Sequence, residues 1–503
     1  MDDLNFKEIL IRKPYYEVLP KVNHSYRTVL SGQNINEPTD RLTLRIKTQA
    51  DFMREYYPSA HKINDHLLFP DVYKKDPDTG KMYLQPVTRC AFSFQIIIKT
   101  KQVIELVGND VQFELSDRSS DDKIESDNNY ILQSFRKGWL TKNMEIRMYE
   151  AIDAIKTVGD AAIVGYFDNN NKFGTRTLSY LNGDMLYPHY DSITGKPDLF
   201  ARKYTDMDEN GNMSTEYVEV WDEKYIYKCK RGISSIGIVQ RIKEVFGLGG
   251  FTIVSQDVHG FNFVPVSYHR NEIGACWTPA QKTIEDFEES FSYFRESNKA
   301  FGNPILKIVG EGVDVQGDMN GAVKAITISD PDGDAGFLSQ QTSNNPLEEL
   351  KMLYKLIYEQ AFAVQPPEVK SGDLPGVAIK LLYAPAIEQA IHDTHQLQDF
   401  LDDVVYMVKF GYGYEMNMQA SMINLDINSW IEPYIPQNDS ELMQNLAIGV
   451  QNEFLSHQTA SERIPKYAKN DEIDRIIREQ KQSQQMDLLT QLNNSNNDNP
   501  SAN

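Results

Sequence analysis

The 503-residue sequence has few cysteines, no long apolar run and no net positive charge. Its three cysteines, Cys90, Cys229 and Cys276, lack the C-x-x-C spacing of a zinc site or a redox pair. We therefore expect buried or neutral thiols in a protein made in a reducing cytoplasm. No apolar stretch approaches the roughly 20 residues that span a membrane, and the first residues lack the features of a signal peptide. We expect no membrane partner.

Acidic residues outnumber basic ones in this chain. The 72 Asp and Glu residues against 51 Lys and Arg residues give a formal net charge of −21. Proteins that hold nucleic acids tightly by their phosphates are normally basic, at least in patches. The charge balance therefore disfavours a protein that binds DNA tightly.

The sequence also lacks the motifs of common catalytic and cofactor sites. No G-x-x-x-x-G-K-[ST] phosphate loop and no G-x-S-x-G nucleophile turn occurs. Asp206–Gly211 begins like a calcium loop, but Tyr217 stands where a bidentate glutamate is needed. His392 and His395 have i, i+3 spacing without an indicated third ligand. We expect no catalytic residue, no metal ion and no cofactor.

The first 278 residues mix strands and helices. Because these are clustered rather than strictly alternating, we expect an α+β domain. The patterns predict strands at Ala91–Lys99 and Val111–Leu115 joined by a hairpin turn at Gly108–Asp110, a helix within Ile131–Val158, strands at Ala161–Phe167 and Arg176–Leu181, and a hairpin joining Leu199–Thr205 to Tyr217–Tyr227.

Two capped helices follow, separated by a β-like insertion. Thr278, Pro279 and Gln281 predict a capping threonine, a first-turn proline and a capping-box glutamine for a helix that reaches Ala300. The second helix is predicted to begin at Asn345 and to end near Val364. The insertion between them has predicted strands at Ile305–Val309 and Val323–Ser329.

The last part of the chain is predicted to be mainly helical. The proline- and glycine-rich segment Gln365–Gly376 cannot be helical throughout. A long helix is predicted over Val377–Phe410, with a kink at Pro385. The patterns then predict a strand at Asn424–Ile431, a helical segment from Pro436 to Arg478, and a disordered polar tail over 481–503.

Three stretches of this sequence resemble phage portal proteins. Asn262–Glu272 is similar to the portal strand and turn before the first stem helix, and Gly376–Lys380 is similar to the start of the family's long helix. Trp430 followed by Pro436–Glu441 resembles the Trp strand and helix start of the family. The resemblance covers roughly Phe92 to Arg478. The frequent Asn, Ile, Lys and Tyr residues are typical of an AT-rich phage genome, such as that of a crAss-like phage.

The resemblance implies an α+β portal fold with wing, stem, clip, tunnel loop and crown. Its segments would be the wing at 1–278, the first stem helix at 279–301, the clip at 302–345, the second stem helix at 346–364, the tunnel loop at 365–376, a kinked long helix with wing return at 377–435, a crown-like helical region at 436–480 and the tail at 481–503.

The resemblance also implies a role in the virion. Twelve copies would assemble in the host cytoplasm into a ring at one capsid vertex, as the head-to-tail connector and the channel for double-stranded DNA during packaging and ejection. The expected partners are the terminase motor, a head-completion or adaptor protein and the major capsid protein.

Candidate site residues follow from that assignment. The tunnel loop would present Gln365, Pro366, Pro367, Glu368, Val369, Lys370, Ser371, Gly372 and Asp373 to DNA. Glu285, Glu288, Glu289 and Glu296 would face the channel, and Asp318, Asp330, Asp332 and Asp334 would dock partners at the clip. An anionic lining would repel the DNA backbone and keep the duplex centred. The alternatives are a solvated helix face for these glutamates and a plain inter-helix turn for the loop.

One departure and two rival functions stay open. Ser371 and Gly372 are separated from Val377 by four residues, whereas in many relatives Ser-Gly runs directly into the long helix. This leaves the shape of the loop open. The rival functions are a neck or scaffold component of the virion that never contacts DNA, and a hydrolase with carboxylate chemistry.

Overall fold

A computed structural model of the chain shows an α+β protein. It describes residues 47–75, 80–116, 122–190, 197–207, 213–232, 251–271, 273–301, 306–311, 313–317, 323–328, 332–337, 345–365, 376–434, 439–452, 454, 455 and 460. The chain divides into two units, one formed by residues 1–366 with 385–434 and the other by residues 367–384 with 435–503.

The helices lie on both sides of a strand-rich central region of the sequence. They are α1 Gln49–Tyr56, α2 Phe94–Val107, α3 Asp122–Thr141, α4 Met144–Val158, α5 Gln281–Phe301, α6 Asn345–Gln360, α7 Gly376–Glu415, α8 Gln419–Asn424 and α9 Asp439–Gln451. The described parts of the second unit are residues 376–384 of α7, the whole of α9 and a few residues after it.

The strands fall into a meander, a smaller sheet and several pairs. They are β1 Val72–Lys75, β2 Met82–Gln85, β3 Gln112–Leu115, β4 Asp160–Phe167, β5 Phe173–Leu178, β6 Met185–Tyr190, β7 Pro197–Met207, β8 Met213–Trp221, β9 Tyr225–Gly232, β10 Phe251–Val258, β11 Val266–Arg270, β12 Leu306–Val309, β13 Val313–Gly317, β14 Val323–Ile328, β15 Asp334–Phe337 and β16 Ile427–Trp430. One sheet has the order β10-β9-β8-β7-β6 and another β11-β4-β5, while β1-β2, β3-β16, β12-β15 and β13-β14 form pairs, all antiparallel.

The largest apolar core of the first unit surrounds α4. Three buried α4 residues at helical spacing, Met148, Ile152 and Ile155, pack with side chains from α3, β4 and α7. Burial of each large apolar side chain contributes about 1.5–3 kcal/mol. Gly159 has φ = +94° and ends α4 in the left-handed region that glycine enters without strain. The core therefore joins three consecutive elements, α3, α4 and β4, to the distant helix α7.

The predicted strand at Ala91–Lys99 is wrong, because most of that segment belongs to helix α2. Its β-branched run suggests a strand, yet Phe94, Ile98 and Leu106 are buried at multiples of four residues, which places them on one helix face. The hairpin predicted at Gly108–Asp110 is wrong for the same reason. A strand is confirmed at Gln112–Leu115, but it pairs with β16 rather than with a neighbour in sequence.

Other boundaries also differ from the predictions. The single helix predicted within Ile131–Val158 is two helices, α3 and α4, separated by Asn143 at φ = +55°. Thr278 is not the capping residue predicted, because it begins a 3-10 turn that precedes α5 and has no side-chain capping bond. Helix α6 ends at Gln360, four residues before the predicted end.

Several predicted elements are confirmed. These are β4, the β7–β8 hairpin, β12, β14, β16, the start of α6, and the long helix α7, which runs through Pro385. The helix predicted from Pro436 is confirmed as α9 over Asp439–Gln451. The rest of that predicted helical segment, residues 452–478, lies almost entirely outside the described part of the chain. The predicted tail at 481–503 lies wholly outside it.

The three cysteines are buried and unpaired, as predicted. Burial raises the pKa of the Cys276 thiol to about 12 and also raises the pKa of Cys229. These two thiols are therefore neutral near pH 7, and none of the three is positioned as an exposed nucleophile.

Candidate functional site

Helices α5 and α6 form an antiparallel pair. The Thr283 hydroxyl, near the start of α5, donates a 2.6 Å hydrogen bond to the Gln360 side chain at the end of α6. The pair belongs to a second apolar core, which includes Ile284 and Phe287 from α5 and Leu350, Ile357 and Tyr358 from α6. The two helices are thus joined by packing along their shared face as well as by this bond.

An aromatic cluster fixes the helix pair to the segment that precedes α2. The ring of Phe92 lies 5.3 Å from Phe287 and 5.1 Å from Phe291, in edge-to-face arrangements. Phe94 makes the same kind of contact with Phe287 at 5.3 Å. Such pairs contribute about 0.5–1.5 kcal/mol beyond the area that they bury. Phe92, just before α2, and Phe94, its first residue, therefore help to hold α5 in place.

Glu288 is buried rather than facing a channel. Its side chain accepts hydrogen bonds from Phe92 N at 2.8 Å and from His61 Nδ1 at 2.7 Å, and the residue is 2% exposed. The other ring nitrogen of His61 lies 2.7 Å from the Glu55 carbonyl oxygen. Each ring nitrogen of His61 therefore lies at hydrogen-bond distance from an oxygen atom inside the subunit. The prediction that Glu288 lines the channel is wrong, since this pair holds it inside the subunit.

The other three predicted glutamates on α5 are half-exposed and lie against the N-terminal segment, residues 61–92. Glu285 contacts Lys62 Nζ at 3.4 Å, and Glu289 lines a small pocket formed with residues 63–89. Glu296 accepts hydrogen bonds from the hydroxyl and the backbone N–H of Thr88, and the hydroxyl bond is the main cause of its lowered pKa. Their exposure to a channel stays a prediction.

The exposed face of α6 carries charges of both signs. Lys355 forms an ion pair with Glu359 at 3.3 Å one turn apart. The exposed charged residues of this helix are Glu348, Glu349, Lys351, Lys355 and Glu359. The exposed charged residues of α6 are therefore of both signs, and the predicted anionic lining of a channel stays a prediction.

Two side chains of α2 hold the chain where it leaves α6. Gln102 Nε2 donates a 2.7 Å hydrogen bond to the Ala361 carbonyl, and Lys101 Nζ donates to the Val364 carbonyl. Between them, Phe362 has φ = +51° and breaks the helical path. Gln365 is half-buried, and residues 366–375 of the predicted tunnel loop lie outside the described residues. No sequence signal pointed to Lys101 or Gln102, because these contacts span more than 250 residues.

A buried polar network lies behind this anchor. Lys156 forms an ion pair with Asp393 and also donates to Gln102 Oε1 at 3.2 Å. Gln389 Nε2 donates to the other Asp393 oxygen at 3.1 Å. Burial raises the pKa of Glu105 to about 7, with the positive charges of Lys101 and Lys156 opposing the shift. The network joins α2, α4 and α7 at the anchor for the chain after α6.

The acidic residues predicted at the clip are only partly described. Asp318 and Asp330 lie outside the described residues, whereas Asp332 and Asp334 are exposed. Asp334 begins β15, opposite Val309 in β12. Among the described strands, β12–β15 pair only with one another. A small β insertion between α5 and α6 is confirmed, and its docking role stays a prediction.

Neither a metal site nor a membrane span is found in the part of the chain that the structure describes. No group of three or more His, Cys, Asp or Glu side chains there could hold a metal ion. His392 and His395 are both exposed, and Asp206 lies at the end of β7. No helix among the described residues is long and apolar enough to cross a bilayer.

Comparison with protein families gives a match over most of the chain. Residues 42–486 match the model of the family described as phage portal protein, SPP1 Gp6-like. The match confirms the resemblance drawn from the motifs and extends it to the segment before Phe92, which includes His61. No curated protein matches the sequence.

Proposed function

The chain belongs to the phage portal protein family, and from this premise we propose that twelve copies close into a ring at one vertex of a tailed-phage capsid. Portal proteins are structural components that connect head and tail. In this ring, double-stranded DNA passes through a central channel during packaging and ejection. The observation that carries the proposal is the family match across residues 42–486, which include both α5 and α6.

We assign the channel wall to the antiparallel pair α5 and α6, the stem helices of residues 279–301 and 346–364. One side of the pair is packed against the N-terminal segment and α2, which leaves the charged face of α6 for the channel. Lys351 and Lys355 lie there between Glu348 and Glu359. A continuous row of lysines would hold phosphates and slow the DNA, whereas a mixed surface binds the backbone weakly.

The insertion at residues 302–345 is the proposed clip, which docks the terminase motor first and an adaptor protein later. Two features support this role. The strands β12–β15 pair among themselves, so partner binding at their surface need not disturb the helices. The sequence also places Asp318, Asp330, Asp332 and Asp334 here, which suits partners with basic docking surfaces.

Residues 365–376 are the proposed tunnel loop, which contacts DNA in transit. The loop follows a chain segment that Lys101 and Gln102 hold at two carbonyls, so its starting point is fixed. Pro366, Pro367 and Pro375 stiffen it by fixing φ. The remaining regions are assigned to the wing (1–278 and 377–435), which faces the major capsid protein, and to the crown (436–480).

Complementation of a portal-deficient phage tests this function. Lys370→Glu should leave subunit folding and ring assembly unchanged but alter DNA packaging or retention, because the ring repeats the charge change twelve times at one constriction. Lys137→Glu, on the exposed face of α3, makes the same charge change and should package normally. Normal packaging by Lys370→Glu, and also by a chain that lacks several loop residues, would contradict the DNA-facing role.

A further inference from the structure

One face of the β1–β2 hairpin presents large apolar side chains to solvent. Tyr73 pairs with Leu84 and Lys75 with Met82, and directly opposite residues of antiparallel strands share a face. Tyr73, Met82 and Leu84 are 69%, 62% and 49% exposed. A two-stranded hairpin is marginally stable by itself in water. No other described strand pairs with this hairpin, so its apolar face is available for another protein surface.

The base of the hairpin is fixed to the rest of its unit. Asp71 Oδ1 accepts hydrogen bonds from the Arg89 guanidinium at 2.6 Å and from Val87 N at 3.0 Å. Arg89 also donates to the Phe69 carbonyl at 2.6 Å. Burial of the three apolar side chains against another molecule would therefore not require a loose segment to become ordered first, which lowers the entropic cost of association.

An apolar pocket with acidic residues lies between the end of α2 and the start of α4. It is open to solvent and has a volume of about 240 Å³. Its apolar lining is formed by Val107, Val111, Ile146, Met148, Tyr149 and Ile431. Ile146 and Tyr149 are 53% and 47% exposed. The volume is below the roughly 300–1,000 Å³ of small-molecule sites, but the pocket suits one or two side chains from another protein.

The charges of the hairpin and the pocket are opposite. Lys75 lies on the same hairpin face as the apolar residues, whereas Asp110 and Glu145 line the pocket. Burial, together with the nearby charge of Asp110, raises the pKa of Glu145 to about 7. A lysine placed beside these two carboxylates would reduce their mutual repulsion, and such complementarity orients docking surfaces.

The two surfaces lie toward opposite ends of α2. The pocket includes Val107, the last residue of this helix. The chain that leaves the hairpin passes α5, where Thr88 contacts Glu296, and then begins α2 at Phe94. A helix of 14 residues is about 21 Å long. A ring with head-to-tail contacts needs two different patches on each subunit, one for each neighbour.

We propose that the β1–β2 hairpin of one subunit inserts its Tyr73, Met82 and Leu84 side chains into the α2–α4 pocket of the next copy of this chain. The inference rests on the proposed ring, which supplies a second copy at each side. It adds the location of a contact between subunits and the side chains that form it.

Cysteine cross-linking tests the contact directly. In the double variant Tyr73→Cys/Ile146→Cys, a short flexible bismaleimide should join neighbouring subunits into a ladder of covalent multimers on a denaturing gel. Tyr73→Cys alone and Ile146→Cys alone should stay at the single-subunit position. The native cysteines are buried and give little background. Rings in the electron microscope without a ladder would overturn this contact and leave the proposed ring intact, whereas absence of rings in the unaltered protein would overturn both.

Two further sets of variants separate a contact from a folding defect. Tyr73→Ser should raise the subunit concentration needed for assembly about tenfold or more, as expected for a buried aromatic anchor. Tyr130→Ser removes a tyrosine of α3 that is also exposed, at 65%, and should not change assembly.

Lys75→Glu and Asp110→Lys should each weaken assembly, and their combination should restore it. Equal assembly of Tyr73→Ser and Tyr130→Ser, or no restoration by the paired charge exchange, would overturn the proposal.

Discussion

His61 and Glu288 are joined by a 2.7 Å contact between two buried side chains that lie 227 positions apart in sequence. His61 belongs to the segment before β1, and Glu288 belongs to the second turn of α5. The pair therefore connects the N-terminal segment to the helix assigned to the channel wall. It also keeps Glu288 buried, whereas the next residue, Glu289, is half-exposed.

Removal of this carboxylate should destabilise the subunit. Glu288→Ala leaves the His61 ring nitrogen and the Phe92 N–H without their hydrogen-bond partner, and each buried polar group left unsatisfied typically costs about 1–3 kcal/mol. Urea unfolding of the dissociated subunit measures the change as a lower midpoint with an unchanged slope. Glu289→Ala, one position along α5 and half-exposed, is the control and should change the free energy of unfolding by about 0.5 kcal/mol or less. Equal midpoints for the two variants would contradict the assigned pair.

Loss of the Gln102 amide should loosen the chain directly after α6. Gln102→Ala removes the donor to the Ala361 carbonyl, and a hydrogen bond of about 1 kcal/mol corresponds to roughly fivefold faster amide exchange in peptides covering 361–365. Gln95→Ala is the matched control, because Gln95 is also buried on α2 but bonds Gln281 at the start of α5. Faster exchange at 361–365 in the control, or none in Gln102→Ala, would show that this anchor does not hold the chain.

Glu105 should make the stability of the protein depend on pH. Its pKa of about 7 in the folded state exceeds the ordinary value of 4.5, so the folded protein binds the proton more tightly than the unfolded chain. This contribution to stability is fully present below pH 4.5 and is lost as pH rises through 7. Glu105→Gln should remove a loss on the order of 2–3 kcal/mol between pH 4.5 and 7.5. Thermal unfolding across this range measures it, and identical pH profiles for both proteins would contradict the shift.

The helices next to the proposed channel could be predicted because their signals are local. Prolines, capping residues and apolar spacing indicated α5, α6 and α7 within short windows of sequence. Helix α2 was missed because its β-branched run favours a strand in a short window, and the helical spacing emerges only when the window reaches Leu106. Thr278 was wrongly assigned as a cap because the chain makes a 3-10 turn before α5.

The contacts that hold α5 and α6 in place could not be predicted, because they join segments that are distant in the sequence. Glu288 and Glu289 are adjacent acidic residues in sequence, and only the position of His61 and Phe92 distinguishes the buried one from the half-exposed one. The pairing of β3 with β16 and the bonds from α2 to the chain after α6 likewise have no local pattern.

The mass of the assembled protein tests the central claim most directly. Native mass measurement of the purified chain, over a range of subunit concentrations, should show a closed species at twelve times the 57.6 kDa subunit mass. Electron microscopy of the same sample should show a central channel wide enough for duplex DNA. A thirteen-fold ring would still agree with a closed head-to-tail assembly. Only monomers and dimers, even at the highest concentration, would contradict the assignment of this chain as a ring-forming portal subunit.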